Sequence, residues 1–246
     1  MTPSDPIPAA TVVILRDRVD GPPEMLMVER ARTLAFAGGA LVFPGGRVDP
    51  GDRALGGDDE TAARVAAIRE TLEETGVAIG LDPLPPPATL AAIRAALHTG
   101  GDFGTLLAGA GIAIRPDLLI PFARWLPSHP LTRVFDTRFY LARLPEDAPA
   151  ASVDHTENVR LLWTTAAGVI AEAAAGRATL IFPTLRNLER LARFASHAEA
   201  VADAEAYPVR TITPFTAVVD GVEHLCIPDD LGYPVVSVPL DREARG

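Results

Sequence analysis

Residues 69–77 read Arg-Glu-Thr-Leu-Glu-Glu-Thr-Gly-Val, and this stretch decides how the chain is interpreted. It closes a segment that has the signals of a well-bounded helix. Asp58 or Asp59 is predicted as the N-cap, because a carboxylate there accepts hydrogen bonds from the free N–H groups of the first turn. Gly76 is predicted as the left-handed residue just past the other end. We therefore expect one helix that finishes in a cluster of acids.

The predicted helix has an apolar side and an acidic side, since successive residues are about 100° apart around its axis. The acidic side carries Glu70, Glu73 and Glu74, and alanines lie beside them. The apolar side carries three larger side chains, namely Val65, Ile68 and Leu72. A solvated acidic face is the simplest alternative to a functional one.

The three acids disfavour folding unless something compensates them. Glu70 repels Glu73 and Glu74 at i,i+3 and i,i+4 spacing, and each pair costs roughly 0.2–0.5 kcal/mol. The later two also lie at the negative end of the helix dipole, which typically costs roughly 0.3–1 kcal/mol apiece. Mg²⁺ or Mn²⁺ would reverse these terms, and Arg69 can hold one carboxylate in place by a bidentate bond. The pattern therefore favours a divalent-metal site.

Charge and residue usage exclude several classes of function. The net charge of −10 argues against a nucleic acid polymer as partner, because such binding needs clustered cations. All 22 basic residues are arginine, so a lysine Schiff base and a P-loop lysine are excluded. The single cysteine, Cys226, excludes an internal disulfide. No targeting segment and no run of about 18 apolar residues is evident, so we expect a cytoplasmic protein without membrane contact.

Strand and helix signals alternate along the rest of the chain. Residues 9–15 and 24–29 are predicted to form an antiparallel hairpin. A proline-rich break at 83–87 begins a helical insertion over about 84–112, which we expect to act as a lid or a flank. The later predicted elements are strands at 118–126, 133–143 and 158–163, helices at 165–174 and 183–195, and a hairpin within 211–238 that turns at Asp220-Gly221. The short early connections favour a mixed sheet over a doubly wound parallel one.

The acidic stretch resembles the second half of the box that defines the Nudix hydrolase family. That box is Gly, five residues, Glu, seven residues, then Arg-Glu, an apolar or Thr residue, any residue, Glu-Glu, any residue, Gly and an apolar residue. Gly46 fits the opening glycine, and Asp52 stands where the family has its first Glu. Sixteen residues rather than seven then precede Arg69. The position of the first acid is therefore open between Asp52 and Glu60.

The resemblance implies a fold and a set of roles. The implied fold is an α/β Nudix fold, with a mixed β-sheet sandwiched between helices, the helical insertion and a C-terminal hairpin extension. Glu70, Glu73, Glu74 and the carbonyl of Gly46 are implied as ligands of Mg²⁺ or Mn²⁺. Arg69 is implied as the orienting group, with Glu73 and Arg69 counted as catalytic. The implied reaction is attack of a metal-activated water on a diphosphate.

The segment before the box indicates a substrate class. Arg30, Phe36, Gly39 and the Phe-Pro-Gly-Gly run at 43–46 are similar to the coenzyme A diphosphatase-like branch, whose members with an insertion in the box also share a strand like 133–140. A small nucleotide-derived diphosphate is therefore the expected substrate, with coenzyme A or acyl-coenzyme A first and nucleotide sugars or dinucleotides as alternatives. 

Five further residues are candidates for roles around that substrate. Arg30, Arg32 and Arg138 are expected near phosphates, because a guanidinium can grip two oxygens at once, although a surface ion pair is equally open for each. Phe43 is a candidate substrate contact, with a place in the core as the alternative. Glu157 is the candidate general base, with an exposed turn acid as the alternative.

Two broader questions stay open at this level. A binding or regulatory module that kept the fold but lost turnover is the alternative to an enzyme. We expect residues 1–200 to form the main domain and 201–246 to be a C-terminal extension packed on it. The extension makes a homodimer one possibility for assembly.

Overall fold

The computed structural model describes residues 5–33, 37–127, 134–153 and 157–240. Its strands are β1 (Ile7–Arg16), β2 (Glu24–Arg30), β3 (Leu41–Val42), β4 (Gly45–Arg47), β5 (Leu81–Asp82), β6 (Ala113–Ile114), β7 (Ile120–Trp125), β8 (Phe135–Arg143), β9 (Asn158–Thr165), β10 (Thr211–Ile212), β11 (Phe215–Val219), β12 (Val222–Cys226) and β13 (Ser237–Pro239). Its helices are α1 (Pro50–Gly56), α2 (Asp59–Thr75), α3 (Pro87–His98), α4 (Phe103–Ala110), α5 (Ala166–Ala174), α6 (Phe182–Leu191) and α7 (His197–Ala206). A short 3-10 turn at Pro116–Leu118 leads into β7.

One mixed sheet of eight strands forms the centre of the protein. Its main path runs β10-β7-β8-β1-β2-β3, while β4 pairs with β1 and β9 pairs with β2. Strand β1 lies parallel to β8 and antiparallel to β2 and β4. The predicted mixed sheet and the first hairpin are therefore confirmed.

Helices cover both faces of this sheet and bury one apolar cluster on each side. On one face, α2, α3 and α4 pack over Ala10, Val12 and Ile14 of β1. On the other face, α5, α6 and α7 pack over Val13 and Leu15. The alternation along β1 follows from the two-residue period of a strand, in which successive side chains point to opposite faces. The predicted sandwich of a sheet between helices is confirmed.

Two helices occupy the stretch that separates Asp52 from Arg69. Helix α1 begins after Asp49 with Pro50 in its first turn, a position where the missing N–H of proline is not needed. The chain reverses at Gly57, whose positive φ of 80° ends the helix. Helix α2 then begins after Asp58, whose side chain accepts a hydrogen bond from the Thr61 N–H, and ends at the left-handed Gly76, as predicted. Helix α1 itself was not predicted.

The predicted insertion consists of α3 and α4, and it is a flank of the core. Strands β5 and β6 pair with each other on either side of it, so its two ends stand together. Leu90, Ile93 and Leu97 of α3 are buried in the same cluster as the apolar residues of α2. Burial of this kind fixes α3 against α2.

The C-terminal part of the chain adds to the main sheet and also forms a second sheet. Strand β10 pairs in parallel with β7. Strands β11 and β12 form the predicted hairpin, and Asp220 and Gly221 both adopt the positive φ that a tight two-residue hairpin turn requires. A third strand, β13, which was not predicted, completes that sheet. No helix in the described ranges is long and apolar enough to cross a membrane.

Candidate functional site

The last two turns of α2 carry Glu70, Glu73 and Glu74, and we call this region the acid end. Strand β4, with its two glycines, lies against it from the sheet side. Helix α3 lies against the same helix from the insertion side. Glu74 is therefore buried, while Glu70 and Glu73 are partly covered by protein, and the acid end is not a fully solvated face.

Arg69 is anchored beneath the acid end by Asp52. Its Nε and Nη2 donate to the two carboxylate oxygens of Asp52 at 2.9 Å each, and Nη2 also donates to the Arg47 carbonyl at 3.1 Å. Both partners are buried, and the Asp52 side chain is 1% exposed. Of the two acids left open by the sequence, Asp52 is thus the partner of Arg69. Glu60 lies in the first turn of α2, nine residues before Arg69, or about 13 Å away along the helix.

The remaining nitrogen of Arg69 faces the acids themselves. Its Nη1 lies 3.1 Å from Glu70 Oε1 and 3.5 Å from Glu73 Oε2. Burial lowers the pKa of Arg69, but the hydrogen bonds that it donates to Asp52 and the charges of the nearby carboxylates raise this pKa overall. Arg69 therefore stays cationic and links two of the three acids to a fixed point in the core.

Glu70 packs directly on the backbone of Gly46. A Cβ atom at position 46 would lie 2.3 Å from Glu70 Cδ, so any side chain there would displace the carboxylate. The pKa of Glu70 is raised to about 7. Burial makes the largest contribution to this rise and Glu73 adds to it, while Arg69 lowers the pKa. The glycine at position 46 is a steric requirement of this contact.

Glu74 is the most deeply buried of the three acids, with 5% of its surface exposed. Its Oε2 accepts the Gly45 N–H at 2.9 Å, and its Oε1 accepts the Asn158 side-chain amide at 3.0 Å. Burial raises the pKa of Glu74 to about 8, against the lowering effect of the Asn158 hydrogen bond. Asn158 was missed by the sequence analysis, although its position directly after Glu157 and at the start of β9 is a signal that points to it.

Glu73 faces the helical insertion. Its Oε1 lies 3.7 Å from Nδ1 of His98, the last residue of α3, while Oε2 faces Arg69. His98 was not a predicted site residue, because a contact between α3 and α2 leaves no local pattern in the sequence. The insertion therefore supplies a side chain to the acid end.

Arg94, also on α3, supports the backbone of the acid end. Its Nε donates to the Glu73 carbonyl at 2.8 Å, and its Nη2 donates to the Glu74 carbonyl at 2.9 Å and to the Ser152 carbonyl at 2.8 Å. Carbonyls in the last turn of a helix have no partner within the helix, and a cation there also offsets the dipole. No local motif in the sequence marked Arg94 for this position.

The donor atoms of the acid end fit a hard divalent cation in chemistry. Across the described residues, no three acidic, histidine or cysteine side chains are already gathered into a metal-binding group. Glu70 and Glu74 are nevertheless buried carboxylates with raised pKa values next to a third acid, and such a group gains stability from a cation. Oxygen ligands of this kind suit Mg²⁺ or Mn²⁺. Glu73 would have to turn from Arg69 and His98 to join them.

Arg30 and Glu157 lie beside the acid end, and Arg32 lies farther out. Arg30 is placed opposite Asn158 at the junction of β2 and β9, and its charge lowers the pKa of Glu74. Its Nη2 lies 3.6 Å from Oε2 of the exposed Glu157. Arg32 is exposed, with its aliphatic chain against Gly39.

Two proposed substrate contacts lie elsewhere. Phe43 is 3% exposed and packs edge to face on Phe139, with ring centres 6.5 Å apart, so it belongs to the core and its assignment as a substrate contact is not supported. Arg138 does not join the acid end, because its Nε pairs with Glu60 at the opposite end of α2. Phe36 of the pre-box segment, Arg133 of the predicted strand, and His155 and Thr156 before Glu157 lie outside the described residues.

Comparisons with known proteins agree with the fold that carries these residues. The NUDIX domain family matches residues 5–96. A protein from Caenorhabditis elegans named as nudix hydrolase 7 is 32% identical over 172 residues, which are 69% of this chain. This chain spans 56% of the length of that relative. The crystal structure of a NUDIX hydrolase from Alicyclobacillus acidocaldarius superimposes with a TM-score of 0.71 and 29% identity, over 81% of this chain and 96% of that one. These comparisons match residues 5–96 to the NUDIX domain and agree with the predicted fold, while the activity and the branch within the family stay predictions.

Proposed function

Because residues 5–96 of the chain form a NUDIX domain, we propose that the protein is a hydrolase that cleaves the diphosphate bond of a small nucleotide-derived molecule at the acid end of α2. The observation that carries this proposal is the enclosure of Glu70, Glu73 and Glu74 around a buried Arg69. Folding alone disfavours three acids at the negative end of a helix. Their arrangement is therefore best explained by a ligand of positive charge.

The proposed ligand is Mg²⁺ or Mn²⁺, held by Glu70, Glu73, Glu74 and the Gly46 carbonyl. A divalent cation held there supplies charge neutralisation for a diphosphate and acidity for water. The protein supplies the positions of the carboxylates. Arg69, fixed by Asp52, orients Glu70 and Glu73, while the Gly45 N–H and the Asn158 amide orient Glu74.

Glu157 is the proposed general base. Its side chain is 60% exposed, so it can reach a water molecule that approaches from solvent. Arg30, 3.6 Å away, would hold this carboxylate and also present a cation to a phosphate oxygen. Proton transfer from the attacking water to Glu157 would leave the hydroxyl oxygen free to attack phosphorus.

We further propose coenzyme A or acyl-coenzyme A as the substrate. The similarity of Arg30, Gly39 and the Phe-Pro-Gly-Gly run at 43–46 to coenzyme A diphosphatases supports this choice. The structure gives this run a supporting role, since Gly45 and Gly46 contact Glu74 and Glu70. Arg32 is exposed and is proposed as an outer phosphate contact.

A substrate panel tests the proposal. The protein is incubated with Mg²⁺ or Mn²⁺ and with coenzyme A, acyl-coenzyme A, NADH, ADP-ribose and dinucleoside polyphosphates, and the products are separated by chromatography. We expect two phosphate-bearing products from at least one compound. No product from any compound would favour a binding or regulatory module instead.

Glu73→Gln and Glu172→Gln form a matched pair of variants for the active compound. Glu172 lies on α5 and pairs with Arg177 at the surface, so its loss should leave turnover unchanged. Glu73→Gln should lower kcat by about 100-fold or more, because a ligand of the cation is lost. Equal turnover in the two variants would remove the support for a metal role of Glu73.

A further inference from the structure

A cavity of about 350 Å³ opens at the N-terminal end of α2, and we call it the basic pocket. Its walls come from α2, β7, β8 and the segment that leads into β10, and they include Arg64, Arg124 and Arg138. Glu60, which also lines it, is ten residues before Glu70, or about 15 Å along the helix. The basic pocket is therefore separate from the acid end.

The basic pocket concentrates positive charge in an acidic protein. Arg124 is matched by Asp136, with Nε to Oδ1 at 2.8 Å and Nη2 to Oδ2 at 2.5 Å. Arg64 and Arg138 have to share Glu60, whose oxygens lie 3.3 Å and 3.2 Å from their Nε atoms. Among the residues that line the pocket, three guanidiniums therefore accompany one carboxylate, while Asp58 and Asp117 also interact with the charge of Arg64.

Arg138 is the most enclosed of these cations, with 13% of its side chain exposed. A guanidinium has five N–H donors, and the pair of Arg138 with Glu60 engages Nε at 3.2 Å. A group with several acceptor oxygens in the pocket would engage more of these donors than one carboxylate oxygen does. Tyr140 does not fill this role, because its hydroxyl donates to Glu60 Oε1 at 3.0 Å.

An ion-pair network that merely ties β8 to α2 is the alternative explanation. Such a network would be expected to close the space between its members and to balance its charges. Here the space stays open at a volume typical of small-molecule sites, and Pro121 and Val209 add apolar residues to its lining. Cations together with apolar groups suit an organic anion better than a bare inorganic ion.

We propose that the basic pocket binds the phosphomonoester group of a small organic molecule, with Arg64 and Arg138 as its phosphate contacts. The Glu60 carboxylate lies between Arg64 and Arg138, where the phosphate group would bind. Its side chain is 45% exposed, so it can swing out to solvent as the ligand enters. The two guanidiniums it leaves then match the charge of a phosphomonoester, which is close to −2 at neutral pH. This goes beyond the proposed function, which assigns no ligand to this end of α2.

Binding of phenyl phosphate tests the proposal without any turnover. Calorimetric titration is carried out at pH 7.5 in EDTA, so that no divalent cation can recruit the ligand to the acid end. We expect Arg64→Met and Arg138→Met each to weaken binding by about 10-fold or more, as the loss of a charged hydrogen-bond donor should. Arg177→Met, at an exposed ion pair on α5, is the control and should bind like wild type. Equal affinity in all four proteins would overturn the proposal, as would no binding to wild type.

Glu60→Gln gives a result that a misfolded variant cannot imitate. Because the competing charge is removed, phenyl phosphate should bind several-fold more tightly than to wild type, provided that Glu60 occupies the anion position. Weaker binding to Glu60→Gln would contradict the proposed displacement.

Kinetics distinguish the two sources of such a phosphate. If the group belongs to the hydrolysed substrate, phenyl phosphate should compete with it, and Arg64→Met should raise KM while kcat is unchanged. If it belongs to a separate regulatory molecule, phenyl phosphate should change kcat without competing. A protein with no turnover would leave the titration valid, so failure of the proposed function and failure of this proposal are told apart.

Discussion

The two ends of α2 show opposite ways of placing acids on a helix. At the first turn, Asp58 and Glu60 lie where the helix dipole favours negative charge, and Glu60 has Arg64 and Arg138 beside it. At the last turns, Glu73 and Glu74 lie where the dipole opposes negative charge, and Glu74 is buried as well. Folding explains the first arrangement without further help.

The second arrangement is tolerated because the surroundings supply partial compensation. Asp52 fixes Arg69 beneath the acids, Arg94 satisfies the terminal carbonyls, and Asn158 donates to Glu74. None of these groups removes the raised pKa values of Glu70 and Glu74. The end of α2 where folding is least favourable is therefore the end where a cation has most to contribute.

Removal of Asp52 should have the largest effect on stability. Asp52→Ala leaves the buried Arg69 without its bidentate partner and should lower the free energy of unfolding by about 3 kcal/mol or more. Glu60→Ala removes a half-exposed carboxylate from the other end and should cost about 1 kcal/mol. Urea unfolding in EDTA measures both. Equal losses would mean that the two ends of α2 are not distinguished by burial in the way the geometry indicates.

The same Asp52 variant should also affect turnover. Arg69 would no longer be held against Arg47 and would orient Glu70 and Glu73 less well, so kcat should fall by about 10- to 100-fold. An unchanged kcat in Asp52→Ala would show that the ion pair of Asp52 with Arg69 is not needed for turnover at the acid end.

The pH dependence of stability should reveal the raised pKa values of the acids at the acid end. The pKa of Glu70 is about 7 and that of Glu74 about 8 in the folded protein, against about 4.3 for a free glutamate. The folded state therefore holds protons that the unfolded state releases, and this contribution to stability is present at low pH and lost as pH rises through 7 and 8. Thermal unfolding in EDTA should show a Tm lower by about 5 °C or more at pH 9 than at pH 6.

Two controls sharpen the pH prediction. The double variant Glu70→Gln, Glu74→Gln should flatten the profile, because both raised pKa values are removed. Mn²⁺ should raise the Tm of wild type more at pH 8 than at pH 6, since a cation competes with protons for the carboxylates. A flat wild-type profile in EDTA would contradict the burial assigned to these acids.

Loss of Arg94 should lower the free energy of unfolding less than loss of Asp52 does. Arg94→Ala leaves the Glu73 and Glu74 carbonyls without their donor and should cost about 1–2 kcal/mol. Arg177→Ala, at a surface ion pair, should change the free energy of unfolding much less than Arg94→Ala does. Chemical unfolding compares the two, and equal midpoints would show that Arg94 is not needed at the acid end.

Much of the fold is predictable from the sequence because its signals are local. The N-cap Asp58 and the left-handed Gly76 bound α2, and the Asp220-Gly221 turn determines the hairpin of β11 and β12. Helix α1 escapes prediction because it has only seven residues, among them a proline and two glycines. Strand β10 escapes because two residues pairing in parallel with a distant strand leave no periodic pattern.

The residues of the acid end differ in the same way in whether the sequence reveals them. The acids and Arg69 are recognisable because they lie on one helix at fixed spacing. Arg94, His98 and Asn158 reach the acid end from other elements, and only tertiary packing brings them there. Phe43 shows the converse, since an aromatic residue beside the glycine run is equally suited to a substrate contact and to the core, and burial decides for the core.

The pairing of β5 with β6 has a consequence for how this protein can change. Antiparallel neighbours stand about 5 Å apart, so the stretch 83–112 leaves and rejoins the body of the protein at a single point. Helices of different length or sequence can be grafted onto that stem while the sheet keeps its register. Since Arg94 and His98 belong to this exchangeable segment, each such replacement would change the side chains that contact Glu73 and Glu74.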